Sequence, residues 1–310
     1  MSFVLKLDLP SRAAAARMLA RVAAEEGVNA DAGLSRLLDV APETATVLRV
    51  ATRSARLAGE ADGGLRSAEA LLRALRGGGI APAMQLGLNL DLFETDPPLP
   101  PLVHRLAATG AEDISLLLTG PPGTGKTALA HHLARALDRP LVVKRASDLL
   151  SRWVGGTEAA IADAFAEARD RGSVLLFDEV DSLLFDRATA TTSWEAGQVN
   201  ELLTWLDHHP LPVIAATNHR HRLDPAALRR FVFKLDLQPL GQERAARAYE
   251  SFFSVPAPER LADLRGLTPG DFAVVARQLR HARTEEEQDI VKLLRREVDC
   301  RPEHGARIGF

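Results

Sequence analysis

The stretch that most constrains this chain is Gly120 to Thr127, Gly-Pro-Pro-Gly-Thr-Gly-Lys-Thr, set between an apolar run and a helical one. Ile114 to Thr119 is short and mostly apolar, as a buried strand is, and Ala128 to Leu137 spaces apolar side chains three and four apart, as a helix does. Glycines in a strand-to-helix turn let backbone N–H groups converge on a polyphosphate, and the helix N-terminus adds its positive dipole. Gly120, Pro121, Pro122, Gly123, Thr124 and Gly125 then form the cradle, with Ala128 following into the helix. Lys126 reaches the outer phosphates and Thr127 can hold Mg²⁺. A mere glycine-rich turn would not need the whole G-x-x-x-x-G-K-T spacing in this context.

Downstream, Ser173 to Phe177 is an apolar strand that delivers Asp178 and Glu179 at its C-terminal end, where α/β sheets place their ligands. Asp178 is expected to organise Mg²⁺ and its waters, and Glu179 to orient or deprotonate the water that attacks a γ-phosphate. A further strand, Leu211 to Thr217, ends in Asn218. This strand should neighbour the loop strand, which makes Asn218 a candidate phosphate sensor rather than only a turn residue. Leu223 to Phe231 then sets Arg229 and Arg230 side by side before a last strand, where an exposed arginine could reach a neighbouring subunit's γ-phosphate.

Together, Gly-Pro-Pro-Gly-Thr-Gly-Lys-Thr, Leu-Leu-Phe-Asp-Glu-Val-Asp, Ala-Thr-Asn and Leu-Asp-Pro-Ala-Ala-Leu-Arg-Arg resemble the AAA ATPase family, from about residue 90 to the end. The resemblance implies a P-loop NTPase fold: an α/β core with a five-stranded parallel sheet and a C-terminal helical lid. It implies ATP with Mg²⁺, hydrolysis, and a homo-oligomeric, hexameric ring. Ser147 to Glu158 is similar to the first pore loop of katanin-like, spastin-like and unfoldase members. In that family Trp153, with Val154 and Gly155, would project into the ring's channel and grip a protein substrate, since an aromatic ring packs between side chains of any sequence. The family's usual Arg-x-Gly-Arg-Phe-Asp is shortened here, because Arg229-Arg230 runs directly into Phe231, so either arginine could act in trans. Leu267 to Phe272 is similar to the lid turn that approaches the nucleotide, and no arginine stands out as a second sensor. Two other classes stay open: a scaffold that uses nucleotide only to assemble, and a nucleic-acid-directed loader.

With 38 basic and 41 acidic residues the net charge is -3, so the chain lacks the basic field of a dedicated nucleic-acid binder. The single cysteine, Cys300, fits a reducing, cytoplasmic setting, and no apolar run is long enough to span a membrane. The histidines lack partner spacing for zinc. Residues 111–238 are expected to be the ATPase core, residues 239–310 the lid and residues 81–110 a Pro-rich linker leading into a helix. Within the linker, Asp96 to Pro101 reads as stiff and extended, and Phe185 to Trp194 reads as a flexible second loop. Trp194 could touch substrate or only pack.

Residues 1–80 carry helical spacing in Arg12 to Glu25, Gly33 to Val40, Glu43 to Leu57 and Ser67 to Arg76, with Arg49, Arg53 and Arg56 on a solvated face. Phe3 to Leu9 differs from Phe231 to Leu237 at one position. In both places a proline, a helix and a second Pro-containing turn follow. The expectation is a duplication in which residues 1–80 are the lid of a preceding module.

Overall fold

The computed structural model describes residues 12–26, 44–58, 71, 89–109, 112–189, 192–281 and 289–301. The Phe3 to Leu9 repeat, the Pro-containing turn that follows it at Pro42, and the helical spacings in Gly33 to Val40 and, apart from Leu71, in Ser67 to Arg76 lie outside these.

The sheet is parallel throughout and ordered β2-β3-β4-β1-β5. Its strands are β1 (Ser115–Thr119), β2 (Leu141–Arg145), β3 (Val174–Asp178), β4 (Val213–Thr217) and β5 (Phe233–Asp236). The strands expected at Ile114 to Thr119, Ser173 to Phe177 and Leu211 to Thr217 form as β1, β3 and β4, with ends moved by one or two residues. The three central strands read as unbroken apolar runs because both of their faces are covered. Leu117, Leu175, Phe177 and Ala215 face one way, onto α6 (Gly156–Asp170) and α7 (Ser193–His208) through Ile161, Phe165, Val199 and Leu202. Leu116, Leu118, Leu176 and Ile214 face the other way, onto α3 (Leu99–Thr109) and α4 (Lys126–Ala136) through Leu102, Leu106, Leu129 and Leu133. The alternation follows from the two-residue period of a strand.

The remaining helices are α1 (Arg12–Glu26), α2 (Thr44–Ala58), the single turn α5 (Ala146–Leu149), α8 (Pro225–Arg230), α9 (Gln242–Phe253), α10 (Pro269–Leu279) and α11 (Ile290–Asp299). α1 packs on α2, and exposed Arg49 pairs with Glu25 at 2.7 Å. α9, α10 and α11 enclose a separate apolar cluster around Tyr249, Phe272 and Leu294, into which Leu92 inserts from the segment before α3.

Two local expectations change. Asp96 to Pro101 is not extended throughout, since α3 begins at Leu99 with Pro100 and Pro101 in its first turn. Proline is tolerated there because first-turn N–H groups have no intrahelical acceptor. Phe185 to Trp194 is tethered at both ends: Phe185 pairs with Leu223, the Arg187 guanidinium binds Asp224, and Trp194 lies in the first turn of α7.

His209 ends α7 buried, its ring edge-on to Phe165 at 4.8 Å, with Nε2 unpartnered among the described residues. Burial first, and the Arg169 charge second, push its pKa down to about 4. The ring is therefore neutral in the fold and is protonated more readily when unfolded. Its stabilising contribution is complete above the unfolded value of about 6.5 and is lost as pH falls from there toward 4. Urea titrations should show this site alone lowering stability by about 2 kcal/mol between pH 7 and pH 5. His209→Leu should lack that component, and parallel pH profiles for variant and wild type would refute it.

Candidate functional site

The loop between β1 and α4 is a backbone cradle clasped from three sides. Gly120, Gly123 and Gly125 adopt φ of 138°, 83° and 93°. A Cβ on Gly120 would stand 2.0 Å from the Leu237 carbonyl oxygen, which follows β5. One on Gly123 would stand 2.6 Å from Thr268 Oγ1 in the lid, and one on Gly125 2.8 Å from the Phe93 ring. The Gly270 amide donates to the Gly123 carbonyl at 2.9 Å, so the turn that opens α10 lies directly on the loop.

Lys126 begins α4, and its buried ammonium donates to the carbonyls of Gly120 at 2.7 Å and Pro121 at 2.9 Å. Burial lowers its pKa to about 8, opposed by the charges of Asp178 and Asp236. Thr127 Oγ1 donates to Asp178 Oδ2 at 3.1 Å, joining the start of α4 to the end of β3. This oxygen pair suits a hard cation such as Mg²⁺.

Glu179 follows at φ 58°, an uncommon left-handed setting for a residue with a side chain. Its amide donates to Asp178 Oδ1 at 3.1 Å, and its side chain is exposed at the strand end. Such outliers persist where surrounding structure holds them, often at functional sites. On β4, Thr217 stands opposite Thr119 of β1, so Asn218 and Gly120 each follow one residue beyond a paired position. Thr217 Oγ1 donates to Asp181 Oδ1 at 2.6 Å and accepts from the His219 amide at 2.9 Å. Strand order thus gathers Lys126, Thr127, Asp178, Glu179 and Asn218 at the C-terminal end of the central strands.

The two arginines separate. Arg230 Nε donates to Asp207 at 2.8 Å and its Nη1 to the Ala226 carbonyl, whereas Arg229 is exposed and has no hydrogen bond or ion pair among the described residues. α8, which carries both, is capped by buried Asp224, whose carboxylate also accepts from Arg187 Nε at 2.7 Å. Burial pushes the Asp224 carboxyl up, but the Arg187 bonds, the Ala226 amide and the guanidinium charge outweigh it and hold it low. Trp153 and Val154 are both 82% exposed at the head of α6, on a loop whose Ser151 amide donates to Thr157 Oγ1. Sequence reasoning missed Phe93, Asp181, Asp236 and Arg187 as supports. Asp181 alone carried a signal, as the last acid of Asp-Glu-Val-Asp.

Residues 116–239 match the model of the AAA family, ATPases associated with various cellular activities, and this segment is a domain of that family with the P-loop NTPase fold. Over 120 residues, 37% of this chain, it is 42% identical to Protein SAV of Sulfolobus acidocaldarius, of which the match covers 15%. It is 38% identical over 123 residues to the Spastin homolog of Caenorhabditis elegans, covering 37% of this chain and 24% of that one. It is 39% identical over 119 residues to Peroxisomal ATPase PEX1 of Homo sapiens, covering 37% and 9% respectively. The match therefore spans less than a quarter of the length of each relative. No helix among the described residues is long and apolar enough to cross a membrane.

Gly120→Ala and Gly172→Ala both place a side chain at positive φ, but a Cβ on Gly172 meets nothing within 4 Å. In urea denaturation Gly172→Ala should cost about 1–2 kcal/mol, and Gly120→Ala roughly 2 kcal/mol more because it also collides with backbone. Equal losses would show that the clasp on Gly120 is not real.

Proposed function

We propose that this chain is an ATP-hydrolysing remodelling motor of the AAA type that works as a hexameric ring on protein substrates. The observation that carries the reading is the Thr127 to Asp178 hydrogen bond, which brings the phosphate loop and the acidic strand end together with Glu179 and Asn218 beside them.

The backbone from Gly120 to Ala128 would bind the phosphates, with the Lys126 ammonium moving from loop carbonyls to phosphate oxygens. Contact with phosphate would raise its depressed pKa and keep it charged. Thr127 and Asp178 would hold Mg²⁺, which when bound supplies charge neutralisation on the phosphate oxygens. Glu179 positions and deprotonates the attacking water, and Asn218 reads the γ-phosphate from the neighbouring strand. Arg229 is the arginine that acts in trans, because Arg230 is already held by Asp207. Trp153, with Val154 and Gly155, forms the substrate-gripping loop, supported by its exposure. We read residues 1–80 as the lid of a preceding module, in keeping with the packing of α1 on α2, and place the protein in the cytoplasm.

Phosphate release tests the enzyme. Glu179→Gln should bind ATP normally and lose hydrolysis by about 100-fold or more. Arg229→Ala should retain binding and lose turnover on the order of a thousandfold, with Arg230→Ala much milder. No turnover by an assembled wild type would favour the scaffold reading, and strictly monomeric wild type with ATP would sink the ring.

The gripping loop is tested by capture of a fluorescent, unfolded polypeptide in the Glu179→Gln background with ATP. Trp153→Ala should weaken capture on the order of tenfold and Trp153→Phe less. Equal capture by Trp and Ala would remove the loop from the mechanism.

A further inference from the structure

Asp271 is a buried carboxylate in the first turn of α10, at 6% exposure. Its Oδ2 accepts from the Thr268 amide at 2.7 Å and from Thr268 Oγ1 at 2.9 Å, which closes the turn that opens the helix. A buried carboxylate needs a cation as well as hydrogen bonds. Arg301 supplies it from just beyond α11, with Nη2 bound to Asp271 Oδ1 and to Thr268 Oγ1 at 3.2 Å. The other prong, Nη1, donates to the Gly266 carbonyl at 2.7 Å. One planar guanidinium thereby bridges both ends of the turn from Gly266 to Asp271, which an ammonium cannot do.

That turn is the part of the lid in contact with the phosphate loop. Gly270 donates to the Gly123 carbonyl, and a Cβ on Gly270 would stand 2.8 Å from Gly123 Cα. Thr268 Oγ1, which Arg301 holds, is the atom that fills the space over Gly123. Gly123 is at positive φ and, as a glycine, loses more freedom on ordering than other residues do, so its orientation depends on what lies on it.

We propose that Arg301 is a positioning residue of the nucleotide site: through Thr268 and Asp271 it presses the lid turn onto Gly123 and keeps the loop amides in their phosphate-binding arrangement. It touches no phosphate. Its effect is preorganisation, so its loss raises the ordering cost of binding. The proposal rests on the nucleotide reading above, and its test separates the two.

In the full chain, affinity for a non-hydrolysable ATP analogue is measured for wild type, Arg301→Ala, Arg301→Lys, Asp271→Asn and the Arg301→Ala/Asp271→Asn double variant, alongside melting temperature. Arg301→Ala should weaken binding on the order of tenfold, Arg301→Lys less, and the double variant by less than the product of the singles because both act through one contact. Amide hydrogen exchange over Gly123 to Thr127 in nucleotide-free protein should accelerate in Arg301→Ala, a readout that stands even if wild type binds no nucleotide. If Arg301→Ala does not fold, Arg301→Lys carries the same two measurements. Lowered melting temperatures with unchanged affinity and unchanged loop exchange would reduce Arg301 to a stabilising residue and overturn the proposal. Failure of wild type to bind the analogue would overturn the nucleotide reading instead.

Discussion

The contact on which this structure depends is the clasp around the phosphate loop. Three glycines hold backbone conformations that carry no room for a Cβ, and each is covered by a different part of the chain: the end of β5, the lid turn, and Phe93 from the segment before α3. A loop with a side chain at any of these places would push one of those parts away. The glycines therefore do two jobs. On the proposed reading they free amides to converge on phosphate, and they let the core, the lid and the preceding segment meet at one point.

The second organising fact is strand order. β4 lies between β1 and β3, so the acid-bearing strand end is one strand removed from the loop strand. The Thr127 to Asp178 bond closes the gap on one side, and the Asp181 to Thr217 bond ties the turn after Glu179 to the strand that carries Asn218. The left-handed Glu179 sits between these two ties, which is where a strained residue can be held. Hydrolysis needs positioned charges more than reactive side chains, and the C-terminal ends of the central strands supply fixed positions.

On the surface, the same physics separates residues that look alike in sequence. Arg229 and Arg230 are adjacent, yet helix geometry sends them in different directions, so one finds Asp207 and the other finds solvent. Arg187 and Arg301 each bind a buried carboxylate that caps a helix, Asp224 on α8 and Asp271 on α10. Both ion pairs hold an element next to the candidate site: α8, which carries Arg229, and the turn that opens α10 over Gly123.

Much of this was legible in the residues. The phosphate loop, the acidic strand end, the polar end of β4 and the alternation of strands and helices all follow from local pattern, because period, glycine placement and charge at strand ends are properties of short stretches. The strand ending in Asn218 was expected beside the loop strand, and β4 pairs with β1. What the amino-acid sequence did not reveal were contacts between residues far apart in the chain: Phe93 on Gly125, Thr217 on Asp181, and Arg301 on the turn that covers Gly123. Nor did it show that Phe185 to Arg187 is pinned by Leu223 and Asp224, since a polar run reads as a loop until its partners are known. Composition and spacing decide which elements form and which chemistry they can carry. Only close packing decides which side chains are held, which stay free, and how tightly the lid rests on the loop.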